Sequence, residues 1–287
     1  MNAPRFKLNT DAFLRTPEAN KHNPKRVFFI AAEGEKTEPN YFGNLNLTLD
    51  AAIVRIEILQ HAKSKGYNAP HHLTELLDEC LELREGDVIP AEGFSDTFVE
   101  KYPPNRLKEL VNNSNHPDYI EFMIDLDNEG IDCIYRKYLK NFNPEYDCFA
   151  IILDRDKRSH TYSMLLKCLE HCEAKKYFFC ISNPCFEFWL LLHNLDVKNE
   201  CNKEELDKFL ENSRVNPKHT YISKKLSDVA GHAKRISRNK FNEKYYPNIR
   251  CATERAKLFA IDPREIITQL GTNVYLLIEE ILSTSNN

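Results

Sequence analysis

Apolar and polar positions alternate in blocks along the chain. Four short runs, 26–32 ("RVFFIAA"), 52–59 ("AIVRIEIL"), 148–153 ("CFAIIL") and 176–182 ("KYFFCIS"), are solidly apolar or rich in β-branched residues. This is the pattern of strands buried on both faces within a parallel sheet. Stripes at helical spacing follow them: Tyr41, Phe42, Leu45 and Leu49 after the first, Met164, Leu165, Cys168, Leu169 and Cys172 after the third, and Phe186, Trp189, Leu190 and His193 after the fourth. Thr37 can cap the first of these helices, with Glu38 and Pro39 in its opening turn. Asn183 and Pro184 offer the same cap-and-proline signal for the last. Strands alternating with helices predict an α/β fold with a central parallel sheet.

The pattern also divides the chain. Residues 1–24 read as a loosely held polar arm, 25–195 as the core, and 196–287 as a mainly helical C-terminal region. Within the core, 62–146 interrupts the strand–helix rhythm. Helices are expected there at 71–84, 105–112 and 118–142, with a Pro- and Gly-containing loop after the first.

Composition narrows the class. Of 287 residues, 42% are hydrophobic and 11% aromatic, which indicates a folded globule. No apolar run approaches the ~20 residues of a membrane span, and the N-terminus lacks a signal peptide's apolar core, so no membrane role is expected. Nine irregularly spaced cysteines suit reduced thiols in a cytoplasmic protein. Cys168 and Cys172 share an apolar helical face with Leu165 and Leu169, which favours core packing over a closed zinc site with its four ligands.

The net charge of −4 conceals an asymmetry: residues 62–146 sum to −8 and residues 214–257 to +9. One region would then meet an anion that the other avoids, or the two would attract each other within the fold.

Candidate chemistry lies where the strands end. Ligands of open parallel sheets bind beyond the carboxyl ends of the strands. Glu33 follows the first strand, Asp154 and Asp156 the third, and Asn183 and Glu187 the fourth. If these strands are neighbours, the carboxylates converge on one edge. An Asp-x-Asp pair offers two hard oxygen donors to Mg2+ or Mn2+. Such a cation would neutralise a phosphodiester oxygen and lower the pKa of an attacking water. Glu33 would complete the metal site or move a proton. Glu187 has two readings, a site acid or a partner of its helix dipole, and His193 reads as a hydrogen-bonded core residue. Lys36, in the turn after Glu33, could meet a phosphate. The "GEKT" run is not a P-loop, because the first glycine that motif requires would fall at Phe29.

An acid followed by Gly34 after the first strand and Asp-x-Asp after a later one resembles the TOPRIM domain of topoisomerases, primases and certain nucleases. More closely, "EGEKTEPNYF", "ILDRD" and "SNPCFEFWLLLH" resemble the RloB family, small bacterial proteins found with restriction and phage-defence systems. The resemblance implies a TOPRIM-like sheet flanked by helices, with metal binding by Asp154 and Asp156 and with Glu33 as acid/base or third ligand. It also implies a partner ATPase of ABC or AAA type, encoded separately. Glu33 and Asp154 stand 121 positions apart, wider than a compact TOPRIM core requires, so the acidic insertion 62–146 would act as a lid or a docking surface.

The basic stretch places Lys224, Lys225, Lys234, Arg235, Arg238 and Lys240 among aromatics that include Tyr245. Cations hold backbone phosphates and aromatics stack on bases, with Lys234, Arg235 and Arg238 expected on one side of a helix. A solvated helical face is the other reading. The expectation is a Mg2+- or Mn2+-dependent nuclease acting on RNA (tRNA included) or DNA in phage defence. A non-catalytic adaptor docking on the ATPase is the alternative. A sugar-nucleotide transferase would leave the Glu-Gly turn and the basic stretch without a role.

Overall fold

The computed structural model describes residues 24–285 apart from 35, 60–69, 72, 75–76, 79–94, 114, 130–142, 144, 158 and 232–234. A five-stranded sheet forms its centre. Strands β1 (Arg26–Ala32), β2 (Val54–Leu59), β3 (Cys148–Asp154) and β4 (Phe178–Asn183) run parallel in the order β2-β1-β3-β4. A two-residue antiparallel strand from the C-terminal region, Gly271–Thr272, closes the β4 edge. Helices follow three of the four parallel strands: α1 (Thr37–Asn46) after β1, α5 (Tyr162–Lys175) after β3 and α6 (Phe186–Leu192) after β4. Alternating blocks of the sequence therefore become alternating layers.

Register decides which side chains share a face. Successive strand residues point to opposite sides of a sheet, and β1 accordingly splits its apolar run. Phe28 and Ile30 join Ile152 and Cys180 under α1 and α6. Val27, Phe29 and Ala31 join Phe149, Ile151, Leu153 and Ile181 under α5, where Leu165, Cys168, Leu169 and Cys172 pack. The two cysteines are thus core residues. Each fully buried Leu, Ile or Phe contributes roughly 1.5–3 kcal/mol of transfer free energy, so the double layer supplies most of the cohesion.

The insertion builds a small core of its own. Helices α2 (Asp96–Lys101), α3 (Pro104–Asn112) and α4 (Tyr119–Glu129) enclose Phe98, Tyr102, Leu107, Leu110, Phe122 and Leu126. Helix α2 falls where a loop was expected: Ser95 caps it by accepting from the Phe98 N–H, and Pro103 ends it. Helical residues lie within 70–78, but the remainder of the helix expected over 71–84 is outside the described residues, as are 130–142 of the one expected over 118–142.

Two cap assignments are corrected. Helix α1 opens at Thr37, so Lys36 occupies the cap position, and it makes no side-chain cap bond. Asn183 does not cap α6. It ends β4, precedes a cis peptide to Pro184, and its amide donates to the Ile266 carbonyl at 2.6 Å. Sheet pairing has taken the residue that local sequence would assign to the helix, and Cys185 stands at the α6 cap.

The C-terminal region is mainly helical: α7 (Lys203–Glu211), α8 (Tyr221–Ala230), α9 (Ile249–Ala256) and α10 (Val274–Ser285), with a small ribbon, Arg214–Asn216 paired to His219–Thr220. It is structurally part of the sheet. Buried Asn273 donates from Nδ2 to the Phe179 carbonyl at 2.8 Å and accepts the Ile181 N–H at 2.7 Å, standing in for a neighbouring strand. Among the described residues no helix is long and apolar enough to cross a membrane.

Candidate active site at the carboxyl edge of the sheet

Because β1, β3 and β4 are adjacent and parallel, their carboxyl ends meet. The Glu33 N–H donates to the Ile152 carbonyl at 3.0 Å, which carries β1 pairing one residue beyond the strand and sets Glu33 beside Asp154. The Asp154 N–H then donates to Glu33 Oε2 at 3.1 Å. From the first residue of α6, just beyond the end of β4, the Phe186 N–H donates to Asp154 Oδ1 at 2.7 Å. One aspartate thus receives all three strands.

Four acids crowd this point. Burial first, then the charges of Glu38, Glu187 and Glu33, push the Asp154 carboxyl well above its ordinary value. Burial also raises Glu33, opposed by His160 and by the Asp154 N–H and reinforced by Asp156. Glu187 is buried in the first turn of α6, so it belongs to the cluster as well as to its helix. Cys185 nearby is raised well above a normal thiol by burial and by Glu187 and Asp154, which keeps it neutral. Asp156 is exposed beside this group and accepts the Ser159 hydroxyl at 2.8 Å.

Two residues of the site were not singled out from sequence. Glu38, read as a helix-start acid, is 4% exposed and contributes to the charge on Asp154. Its carboxylate folds back over Gly34, and a Cβ there would collide with it. Gly34 is therefore required by close approach, and the glycine four positions before a glutamate was the available signal. His160 is the other. Its ring faces the Asp154 carbonyl from Nδ1 at 3.1 Å and Glu33 Oε1 from Nε2 at 3.5 Å.

Arg155 points away from its flanking acids. Its Nε donates to the Ile267 carbonyl at 2.8 Å and its Nη1 to the His160 carbonyl at 2.7 Å, fastening the site loop to the C-terminal region. His193 is a core residue: it contacts the Tyr41 hydroxyl at 3.1 Å and the Trp189 carbonyl at 3.0 Å, and burial lowers its pKa to about 3. Lys36 is exposed at the rim of the β1–α1 turn.

The basic stretch is not one helical face. Helix α8 ends at Ala230 with Gly231 in the left-handed conformation. Arg235 then lies in a stretch without regular structure, and Arg238 begins a single turn, Arg238–Lys240. Lys234 is outside the described residues. Several cations serve the fold: Lys240 Nζ donates to the Gly231 carbonyl at 2.6 Å, Lys224 pairs with Asp228, and Lys225 lies 3.8 Å from Glu205. Tyr245 is corrected: it is fully buried against Tyr41, Phe241 and His193, so its ring is closed to base stacking. Arg235 and Arg238 are exposed and make no ion pair among the described residues.

Among the described residues no three Asp, Glu, His or Cys side chains are gathered closely enough to hold one ion together. The donor chemistry nevertheless fits a hard cation. The donors are carboxylate oxygens, and Mg2+ commonly binds through one or two carboxylates and keeps several waters. The raised Asp154 also marks negative charge that a cation would relieve.

A family model described as RloB-like protein matches residues 28–281, a span that includes every acid of this site. No curated protein and no solved structure matches the chain.

Proposed function

The chain belongs to the RloB-like family, and we propose that it is a Mg2+- or Mn2+-dependent nuclease that hydrolyses phosphodiester bonds of RNA or DNA on a TOPRIM-like core. The observation that carries this reading is Asp154 at the meeting point of three strand ends, its carboxyl raised first by burial and then by Glu38, Glu187 and Glu33. Like charges gathered at one point oppose folding, and a cationic ligand is the simplest compensation.

In this reading Asp154 and Asp156 hold the cation, with Glu33 as third ligand or as the group that moves a proton. Bound there, the metal would offset charge on a phosphodiester oxygen and acidify a water. Glu33, raised by burial, retains a proton more readily than a surface carboxylate, which suits a group that moves a proton. Lys36 at the rim reaches outward to a phosphate, and Arg235 and Arg238 extend a cationic surface for the backbone. The family resemblance supports a role in phage defence under control of an ABC- or AAA-type ATPase. The insertion, with its separate core, is suited to docking that partner.

A cleavage screen of tRNA, mRNA, single- and double-stranded DNA with Mg2+ or Mn2+ tests the reading, with wild type beside Asp154→Ala. Metal-dependent cleavage lost in the variant is expected. Equal cleavage in EDTA would overturn it, and no cleavage with partner binding retained would favour a non-catalytic adaptor.

A further inference from the structure

We propose that His160 is a positioning residue of this site, one that locks the Glu33 carboxylate in register with the Asp-x-Asp segment; this rests on the nuclease reading above. The residue sits at a convergence of four contacts. Its N–H donates to the Asp156 carbonyl at 2.8 Å, closing the loop that carries both aspartates. Its own carbonyl accepts Arg155 Nη1 at 2.7 Å. Ring Nδ1 lies 3.1 Å from the Asp154 carbonyl, and because a carbonyl can only accept, Nδ1 carries the hydrogen. That bond fixes the ring plane and leaves Nε2 aimed at Glu33 Oε1, 3.5 Å away, so that a single proton between these two atoms, on the ring or on the carboxyl, makes the contact attractive. The ring is wholly enclosed, with a side-chain exposure of 0%.

Glu33 is thereby held from both sides. Oε2 accepts the Asp154 N–H, and Oε1 faces His160. Without the ring, one oxygen loses its fixed neighbour and the carboxylate can rotate about its terminal torsion. The 3.5 Å separation is long for a hydrogen bond, as catalytic contacts often are before substrate binds. Residues that orient a metal-site carboxylate in this way typically change metal affinity or activity by about 10–100-fold when removed.

The test compares His160→Asn with His160→Gln. Asn keeps a donor for the Asp154 carbonyl but cannot reach Glu33, whereas Gln extends an amide to the position of Nε2. On the best substrate of the screen, with Mn2+, His160→Asn is expected to lower kcat about 10–100-fold with KM within about twofold, and His160→Gln to recover most of it. Equal melting temperatures of the two variants separate this from loss of folding. Wild-type activity in both variants, or better activity in Asn than in Gln, would overturn the proposal and leave the nuclease reading intact. If wild type cleaves nothing, that reading fails. A double-mutant cycle of His160→Gln and Glu33→Gln in urea unfolding then decides for His160, since additive effects would mean that the two do not act on each other.

Discussion

Glu33 and Asp154, 121 residues apart in the chain, are joined by one hydrogen bond from the Asp154 N–H to Glu33 Oε2 at 3.1 Å. The bond couples a side chain at the end of β1 to the backbone at the end of β3. Glu33→Gln keeps an oxygen that can accept this N–H, so the fold should persist. On the nuclease reading this removes the group that moves a proton, and such groups contribute typically 10²–10⁴-fold. Cleavage by Glu33→Gln should therefore fall at least about 100-fold with an unchanged circular dichroism spectrum. Retained cleavage would remove Glu33 from the chemistry.

Asp154 links the site to stability. In the unfolded chain it loses its proton at the ordinary aspartate value, and in the folded chain at a higher one. Between the two the folded state binds more protons, so this group's contribution to stability falls as pH rises through that window. Metal-free protein should melt at lower temperature at neutral than at mildly acidic pH. Asp154→Asn should flatten this trend and raise stability at neutrality by on the order of 1 kcal/mol, the usual scale for relieving a strained site, while abolishing cleavage. Melting curves at several pH values check the sign. An unstable, pH-sensitive Asp154→Asn protein would contradict it.

Glu38 and Gly34 form a second linked pair. A methyl group at Gly34 would displace the Glu38 carboxylate, which is the far end of a flexible but buried side chain. Gly34→Ala should weaken Mn2+ binding about tenfold while lowering the melting temperature by only a few degrees, because it shifts the Glu38 carboxylate that acts on Asp154. Glu38→Gln, which removes one charge beside Asp154, should weaken the metal similarly and raise metal-free stability. Calorimetric titration with Mn2+ distinguishes these outcomes from an unchanged affinity.

Arg235 and Arg238 separate from the other cations by what they already do. Neutralising both should reduce the salt dependence of nucleic-acid binding by about 0.7–0.9 per cation in the log–log slope. Neutralising Lys224, held by Asp228, should change it little. Equal effects would mean that exposure does not govern the contact.

The sheet was legible in the sequence because β1, β3 and β4 carry apolar residues on both faces and β2 alternates with β-branched residues on one, and the carboxyl ends of β1 and β3 located Glu33, Asp154 and Asp156. Other parts depended on contacts distant in sequence. The strand Gly271–Thr272 is too short to leave a pattern. Asn183 carries a helix-start signature that lost to pairing along β4. Glu38 resembles any acid in a first helical turn until Gly34 is seen beneath it. His160 follows a polar loop with no periodicity, and its position depends on the Asp154 carbonyl and the Asp156 backbone. Tyr245 sits among cations in sequence yet faces the core, because a π-helical turn over Phe241–Tyr245 directs both aromatic rings inward.

The fastening of the β4 edge by the C-terminal region has a consequence in the order of synthesis. Asn273 satisfies the backbone of Phe179 and Ile181, while the Ile266 and Ile267 carbonyls hold Asn183 and Arg155. Glu33 is synthesised well before the C-terminal region, yet the sheet edge beside it is unfinished until residues 260–285 have followed. Chains arrested before Ala260 should leave the loop around Asp154 open to protease, whereas chains extended through Ser285 should protect it. On the nuclease reading, the acids would gain their working arrangement only once the C-terminal region has docked on the sheet.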